Sequence, residues 1–241
     1  TMNNALTQMK MLEQVVSALS EDLIKDLVFI GGCTTSLFLD QENLSLSTRY
    51  THDVDLIVDI KTTTQWYELD EKVRKLGFKN YQSSDPFEQN MDFTCRYQLG
   101  EDLIVDFMPT DETILGFSNS WYLEAYKKKV EYKLGNNLII NTLMPEYFLA
   151  TKFEAFHGRK EDPLYSKDLE DIITVCLGRS SLVEEVYDSP KELKDYLSDQ
   201  FKQLTELTDF EIIMEDQCRF GSKERASQVI QAIIKQWPKA Y

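Results

Sequence analysis

Histidine is almost missing from this 241-residue chain, which carries only His52 and His157. Its four cysteines, Cys33, Cys95, Cys176 and Cys218, are widely scattered and form no Cys-x-x-Cys pair. A zinc site is therefore not expected, and reduced thiols in a cytoplasm are the simplest reading. Basic residues are also scarce: 26 Lys and Arg stand against 41 Asp and Glu, a net charge of −15. That balance argues against a surface coated for nucleic acid, while leaving room for a local basic groove on an acidic body. No apolar run approaches membrane-spanning length, and no signal-peptide pattern, repeat or low-complexity tract is seen. What the chain does have is aromatic bulk, with 13 Phe and 12 Tyr, which suits a real core in one large domain or two small ones.

One stretch organises the rest. The apolar run Val28-Phe29-Ile30 ends in Gly31-Gly32, followed by Cys33-Thr34-Thr35-Ser36, which should open a short helix. After a polar loop over residues 40–48 the chain re-enters a strand at Asp53-Val54-Asp55-Leu56-Ile57-Val58. Strand side chains alternate, so Asp53 and Asp55 share one face and Val54, Leu56 and Val58 the other. Neighbouring carboxylates repel unless a cation lies between them, and magnesium, a hard ion that shares its ligands with phosphates, is the expected one. Asp106 lies in the apolar strand Leu103 to Met108, where an unpaired carboxylate is costly. If that strand lies beside the first, the three carboxylates can hold two metal ions for phosphoryl transfer.

These pieces resemble the nucleotidyltransferase superfamily that includes DNA polymerase β: apolar-Gly-Gly, then Asp-x-Asp, then a lone acid in a later strand. The resemblance implies an α/β nucleotidyltransferase fold with a mixed sheet. By motif position Gly31 and Gly32 match its donor-phosphate turn, with Cys33 standing where a small polar residue is commoner.

Several neighbours admit two readings. Thr34 and Ser36 either give hydroxyl donors to a nucleotide or cap the helix. Cys33 could be exposed at that helix start with a lowered pKa, although no nearby histidine would activate it. Arg49 touches phosphate or pairs with an acid. His52 orients its loop rather than binding metal, and Asp59 is a solvated strand end. Lys127-Lys128-Lys129 is the only basic run, either a solvated face or a contact for a polyanion.

The remaining elements follow from periodicity. A helix is expected over about Asn4 to Lys25 with Ser20 as an internal cap, and another over Thr63 to Leu76 stopped by Gly77. A polar loop follows through Ser83-Ser84-Asp85-Pro86. Phe93 to Leu99 turns at Gly100-Glu101 into the Asp106 strand, a hairpin that leaves Arg96 on a half-exposed face. Glu112 to Asn119 reads as a connector, Trp121 to Lys127 as a short helix, and Val130 to Ile140 as a second hairpin. Pro145 opens a helix carrying Lys152, Ala155 and Arg159 near one face. The next helix buries Leu169, Ile172, Ile173 and Cys176 and sets Asp168 and Asp171 on a neighbouring face. Helices are also expected from Ser189-Pro190 to about Leu207 and from Ser222 to Gln236; no motif is legible after Leu207.

The pattern Lys152-x-x-Ala155-x-x-x-Arg159, then Lys167-Asp168-x-x-Asp171, is similar to the AbiEii-type branch of that superfamily. This branch includes toxins of bacterial toxin–antitoxin and phage-defence systems. The resemblance covers Val28 to Val175. It implies a nucleoside triphosphate donor, magnesium, transfer to tRNA in toxin members, and a possible cognate antitoxin. The residues themselves read either as an ion-paired helix–helix contact or as a lysine reaching nucleotide phosphates with Asp168 holding it. By motif position Lys152 and Asp168 match the family's second catalytic pair, with Arg159 a nucleotide contact. The expected organisation is a catalytic domain over residues 1–143 and a mainly helical domain over residues 144–241. Two other readings stay open: a small-molecule nucleotidyltransferase of the antibiotic-modifying kind, and a non-catalytic binding protein that keeps the fold.

Overall fold

The computed structural model describes residues 4–44, 46, 49–83, 94–218 and 221–237. The chain divides into two compact units. One gathers residues 6–33 and 50–143; the other gathers residues 34–49 and 144–241 together with Asn4 and Ala5. The chain therefore passes between units four times, the second time within the 3₁₀ helix Gly32–Phe38.

The first unit is built on a mixed sheet. Among the described residues its strands are β1 (Leu27–Ile30), β2 (Asp53–Val58), β3 (Lys79–Asn80), β4 (Arg96–Leu99), β5 (Leu103–Pro109), β6 (Val130–Lys133) and β7 (Ile139–Thr142). Their order is β3-β4-β5-β2-β1-β7-β6. β2 thus runs in the middle, antiparallel to β1 and parallel to β5. Every side chain of β1 is buried, as expected of a strand covered on both faces. Phe107 from β5 meets Phe78 and Tyr97 edge to face at 5.7 and 5.5 Å, a favoured aromatic geometry that ties β4 and β5 to the layer behind them.

Helices α1 (Asn4–Ala18), α2 (Glu21–Asp26), α3 (Thr63–Lys75), α4 (Glu112–Leu115) and α5 (Tyr122–Lys127) accompany the sheet. The single helix expected up to Lys25 is two. Ser20 is extended and its hydroxyl accepts from the Leu23 N–H at 3.4 Å, so the cap starts a new helix rather than sitting inside one. The capping box of Thr62 and Gln65 starts α3, and Gly77 takes φ +96 just beyond its end. The expected connector from Glu112 contains the short helix α4, because Asp111 caps it and Gly116 closes it in the left-handed region.

The second unit is helical: α6 (Pro145–Arg159), α7 (Lys167–Gly178), α8 (Leu182–Asp188), α9 (Lys191–Thr205), α10 (Phe210–Gln217) and α11 (Lys223–Ile234). Leu193, Leu197, Phe201 and Leu204 form the buried stripe of α9. Phe201 meets Phe153 of α6 edge to face at 5.0 Å. Phe38 packs on Phe148 at 4.5 Å, and the Arg179 guanidinium donates to the Phe38 carbonyl at 3.2 Å. These contacts hold segment 34–49 into the helical unit. The mixed sheet and the mainly helical C-terminal region are the architecture expected of an α/β chain. The expected turn at Ser84-Asp85-Pro86 and the strand start at Phe93 lie outside the described residues. No helix among the described residues is long and apolar enough to cross a membrane.

Candidate metal centre

Asp55 of β2 stands opposite Asp106 of β5 in parallel register, and Arg96 of β4 stands opposite Asp106 on its other side. Residues opposite one another in a sheet project to the same face, so one row runs Arg96, Asp106, Asp55 across three strands. Asp53, two residues before Asp55, shares that face. One carboxylate oxygen from each of Asp53, Asp55 and Asp106 lies within 4.8 Å of the others. Asp106 is the deepest, with its side chain 8% exposed against 35% for Asp53. The Thr51 hydroxyl donates to Asp53 Oδ1 and steadies it from the loop before β2.

Arg96, expected from the sequence only on a half-exposed face, has its side chain 30% exposed and proves central. Its Nε donates to Asp106 Oδ1 at 2.8 Å and its Nη2 to Oδ2 at 2.6 Å, a bidentate fork. Burial pushes the Asp106 carboxyl above its ordinary value, with Arg96 opposing and Asp53 adding to the rise. The hydrogen bond to Asp106 holds Arg96 still more firmly protonated than usual. The Cys95 thiol is pushed up to about 11, by burial first and by Asp106 next.

Gly31 completes the setting. Its φ is +78, and a Cβ there would come 2.0 Å from Asp55 Oδ2. Only glycine meets both demands, since other residues pay for that backbone and would also displace the carboxylate. The donor set is all hard oxygen, the oxygens converge, and the missing side chain of Gly31 makes room for the Asp55 carboxylate itself. Each Asp106 oxygen accepts one hydrogen bond from Arg96 and keeps further acceptor capacity. The site fits a divalent cation of the magnesium class.

The turn after Gly31 differs from the sequence expectation. It is 3₁₀ rather than an exposed α-helical start, and Cys33 is fully buried with its thiol donating to the Ile30 carbonyl at 3.4 Å. Gly32 accepts from the Gln8 side chain at 3.3 Å. Thr34 and Ser36 fall in the helical unit and are buried, and the Ser36 hydroxyl has no hydrogen-bond partner among the described residues. His52 is exposed and packs edge-on against Tyr50 at 4.5 Å. Asp59 accepts from the Thr110 hydroxyl at 2.7 Å and pairs with Lys61. In the basic run, Lys127 pairs with Glu124 at 2.6 Å. Lys129 donates to the Lys25 carbonyl at 3.1 Å and lies over the Tyr126 ring.

Lys152, Asp168 and Arg159 come together in the helical unit, with partners the sequence did not assign. The spacing of Asp168 and Asp171 on α7 puts both on the face that meets Lys152. The Lys152 ammonium lies 2.6 Å from Asp171 and 3.1 Å from Asp168. Asp171 also accepts from Arg49 Nε at 3.2 Å and from the Thr35 hydroxyl at 3.1 Å. Arg159 Nη1 lies 3.3 Å from Asp168 Oδ2, close enough for an ion pair though not aligned as a hydrogen bond. Lys152 and both aspartates are almost wholly buried. Burial works against the charged ammonium, but the two carboxylates outweigh it and raise the Lys152 pKa. Burial likewise disfavours ionised Asp171, yet Lys152 and Arg49 hold its pKa low. The cluster is charged and internally paired.

No protein-family model matches this chain, and no curated protein matches it. Among solved structures, an antigenic nucleotidyltransferase-like protein from Paracoccidioides brasiliensis is 18% identical and aligns over 85% of this chain and 92% of its own, with a TM-score of 0.49. A likeness that distant carries no argument, and function is read from the site itself.

Proposed function

We propose that this chain is a metal-dependent nucleotidyltransferase that moves a nucleoside monophosphate from a nucleoside triphosphate to an acceptor hydroxyl, releasing pyrophosphate. One observation carries the reading: Asp53, Asp55 and Asp106 converge from two adjacent parallel strands beside a turn that has room only for glycine. Bound magnesium, two ions in the full complex, would supply the positive charge that phosphoryl transfer needs at the attacking and leaving oxygens. Asp53 and Asp55, side by side on β2, would hold the cation. Asp106, the deepest of the three, receives the proton of the attacking hydroxyl. The Gly31-Gly32 turn lets backbone rather than side chain approach the triphosphate.

Within that class we place the chain in the AbiEii-type branch, with tRNA as acceptor and a cognate antitoxin as partner. Support comes from the order of the later motifs and from the pairing of Lys152 with Asp168 and Asp171. In this reading Lys152 and Asp168 form the second catalytic pair, with Thr34, Ser36 and Arg159 as nucleotide contacts.

The test is incubation of purified protein with each labelled nucleoside triphosphate, magnesium and total cellular RNA. Label in the tRNA band, absent with Asp53→Asn, is the expected result. Failure to incorporate any of the four nucleotides, with or without small-molecule acceptors, would overturn the reading.

A further inference from the structure

The carboxylate cluster already has a cation of its own. Arg96 spans two of its three members: both nitrogens of its fork engage Asp106, and Nη2 also lies 3.8 Å from Asp53 Oδ2. The guanidinium carbon sits 5.7 Å from the centre of the Tyr81 ring. Among the described residues, three carboxylates against one guanidinium leave a surplus of two negative charges, which one divalent cation cancels. The strand pair itself does not require a charge at this place. On the opposite face, β4 and β5 are joined by Tyr97 against Val105 and Leu99 against Leu103, and an apolar pair would have closed the row equally well. An arginine here answers to the carboxylates, and it stays protonated at any physiological pH.

We infer that Arg96 is the internal counter-cation of the site: it holds Asp106 in place when no divalent ion is bound, and competes with that ion for the edge between Asp53 and Asp106. Arg96 thereby sets how tightly the site takes a cation. The inference rests on the metal reading given above and adds a positioning residue to it. Arg96 donates to the very oxygens that would ligate an ion, so its charge opposes binding. Its fork also fixes Asp106, so its loss leaves the three carboxylates facing one another without that counter-charge.

Mn²⁺ is the probe, because it takes the same oxygen donors and its free form is counted by electron paramagnetic resonance. Wild type, Arg96→Gln, Arg96→Lys and Asp53→Asn are titrated, and each is melted with and without the ion. Arg96→Gln should bind Mn²⁺ about ten- to a hundred-fold more tightly than wild type, the scale of a lost charge-assisted contact. Its metal-free melting temperature should fall and recover on adding Mn²⁺ further than wild type does. Arg96→Lys keeps the charge without the fork and should fall between the two, and Asp53→Asn should lose binding.

Equal or weaker Mn²⁺ binding by Arg96→Gln overturns the inference. A drop in melting temperature that Mn²⁺ does not repair also overturns it, since that marks an ordinary contact between strands. If Arg96→Gln does not fold, Arg96→Lys carries the comparison, and wild-type affinity in that variant has the same force. Absence of Mn²⁺ binding by every protein, wild type included, instead defeats the metal reading on which the inference stands.

Discussion

Lys152 lies closer to Asp171 than to Asp168, its partner by motif position, at 2.6 against 3.1 Å. Removing the ammonium would leave two buried carboxylates competing for the remaining cations. Lys152→Ala should therefore cost about 3–5 kcal/mol of stability, the usual penalty for breaking a buried pair from one side. Adding Asp171→Asn should recover part of that loss, because it removes the charge that was stranded. Urea unfolding of both single variants and the double variant measures the coupling. Strict additivity would contradict the arrangement. A transfer assay on Lys152→Ala alone would confound lost chemistry with lost folding.

Gly31→Ala combines two penalties. The left-handed backbone costs an alanine roughly 1–2 kcal/mol, and the new methyl would meet Asp55 Oδ2 at 2.0 Å. The expected variant is less stable and binds Mn²⁺ poorly, because Asp55 must turn away. Pairing Gly31→Ala with Asp55→Gly should remove the clash and leave only the backbone penalty. Denaturant unfolding beside metal titration separates the two contributions.

Glu146 gives the helical unit a pH dependence. It is buried in the first turn of α6, and its Oε2 has no hydrogen-bond partner among the described residues. Burial pushes its carboxyl up to about 7; Glu185 adds to the rise, while its own backbone N–H and Arg179 oppose it. Between the unfolded value of 4.5 and about 7, the folded chain keeps a proton that the unfolded chain releases. Stability from this group is thus complete below pH 4.5, falls as pH rises through that window, and levels off above it. The total is on the order of 3 kcal/mol. Glu146→Gln should match wild type near pH 4.5 and exceed it near pH 8. A constant offset between the two unfolding curves across that range would contradict this origin.

Thiol chemistry should be quiet in the folded protein. Cys33, Cys176 and Cys218 are buried and Cys95 is half-buried. With the Cys95 thiol pushed up to about 11, little of the reactive thiolate forms at pH 8. Ellman's reagent should label the native chain about a hundred-fold more slowly than a free thiol, and release four equivalents once the chain is unfolded. Rapid labelling of one native thiol would count against the packing around Cys95 or Cys33.

The carboxylates were legible because strand alternation is local: Asp53 and Asp55 must share a face, and Asp106 stands out in an apolar run. Arg96 was legible in principle. Counting back from the turn at Gly100 pairs Leu99 with Leu103 and so brings Arg96 opposite Asp106. The Asp171 network was not. Helical spacing shows that Asp168 and Asp171 share a face, but nothing local says that the face is buried. Its partners Thr35 and Arg49 lie 136 and 122 residues away in the chain, and Lys152 comes from the preceding α-helix. Cys33 was misjudged because a Gly-Gly turn can open either an exposed helix or, as here, a packed 3₁₀ turn, and the choice depends on surroundings distant in sequence.

The repeated passage of the chain between its two units governs how the protein can be taken apart. A recombinant fragment starting at Met144 would carry Asp168 and Asp171 but neither Thr35 nor Arg49, so a buried carboxylate would lose two of its three cationic and hydroxyl partners. A fragment ending at Leu143 would keep residues 34–49 without the helices they pack on. Neither unit corresponds to one uninterrupted piece of gene, and a single cut frees neither intact. To isolate the helical unit, residues 34–49 would have to be grafted onto it through a linker, and to isolate the sheet unit, Cys33 would have to be rejoined to Tyr50 across the gap.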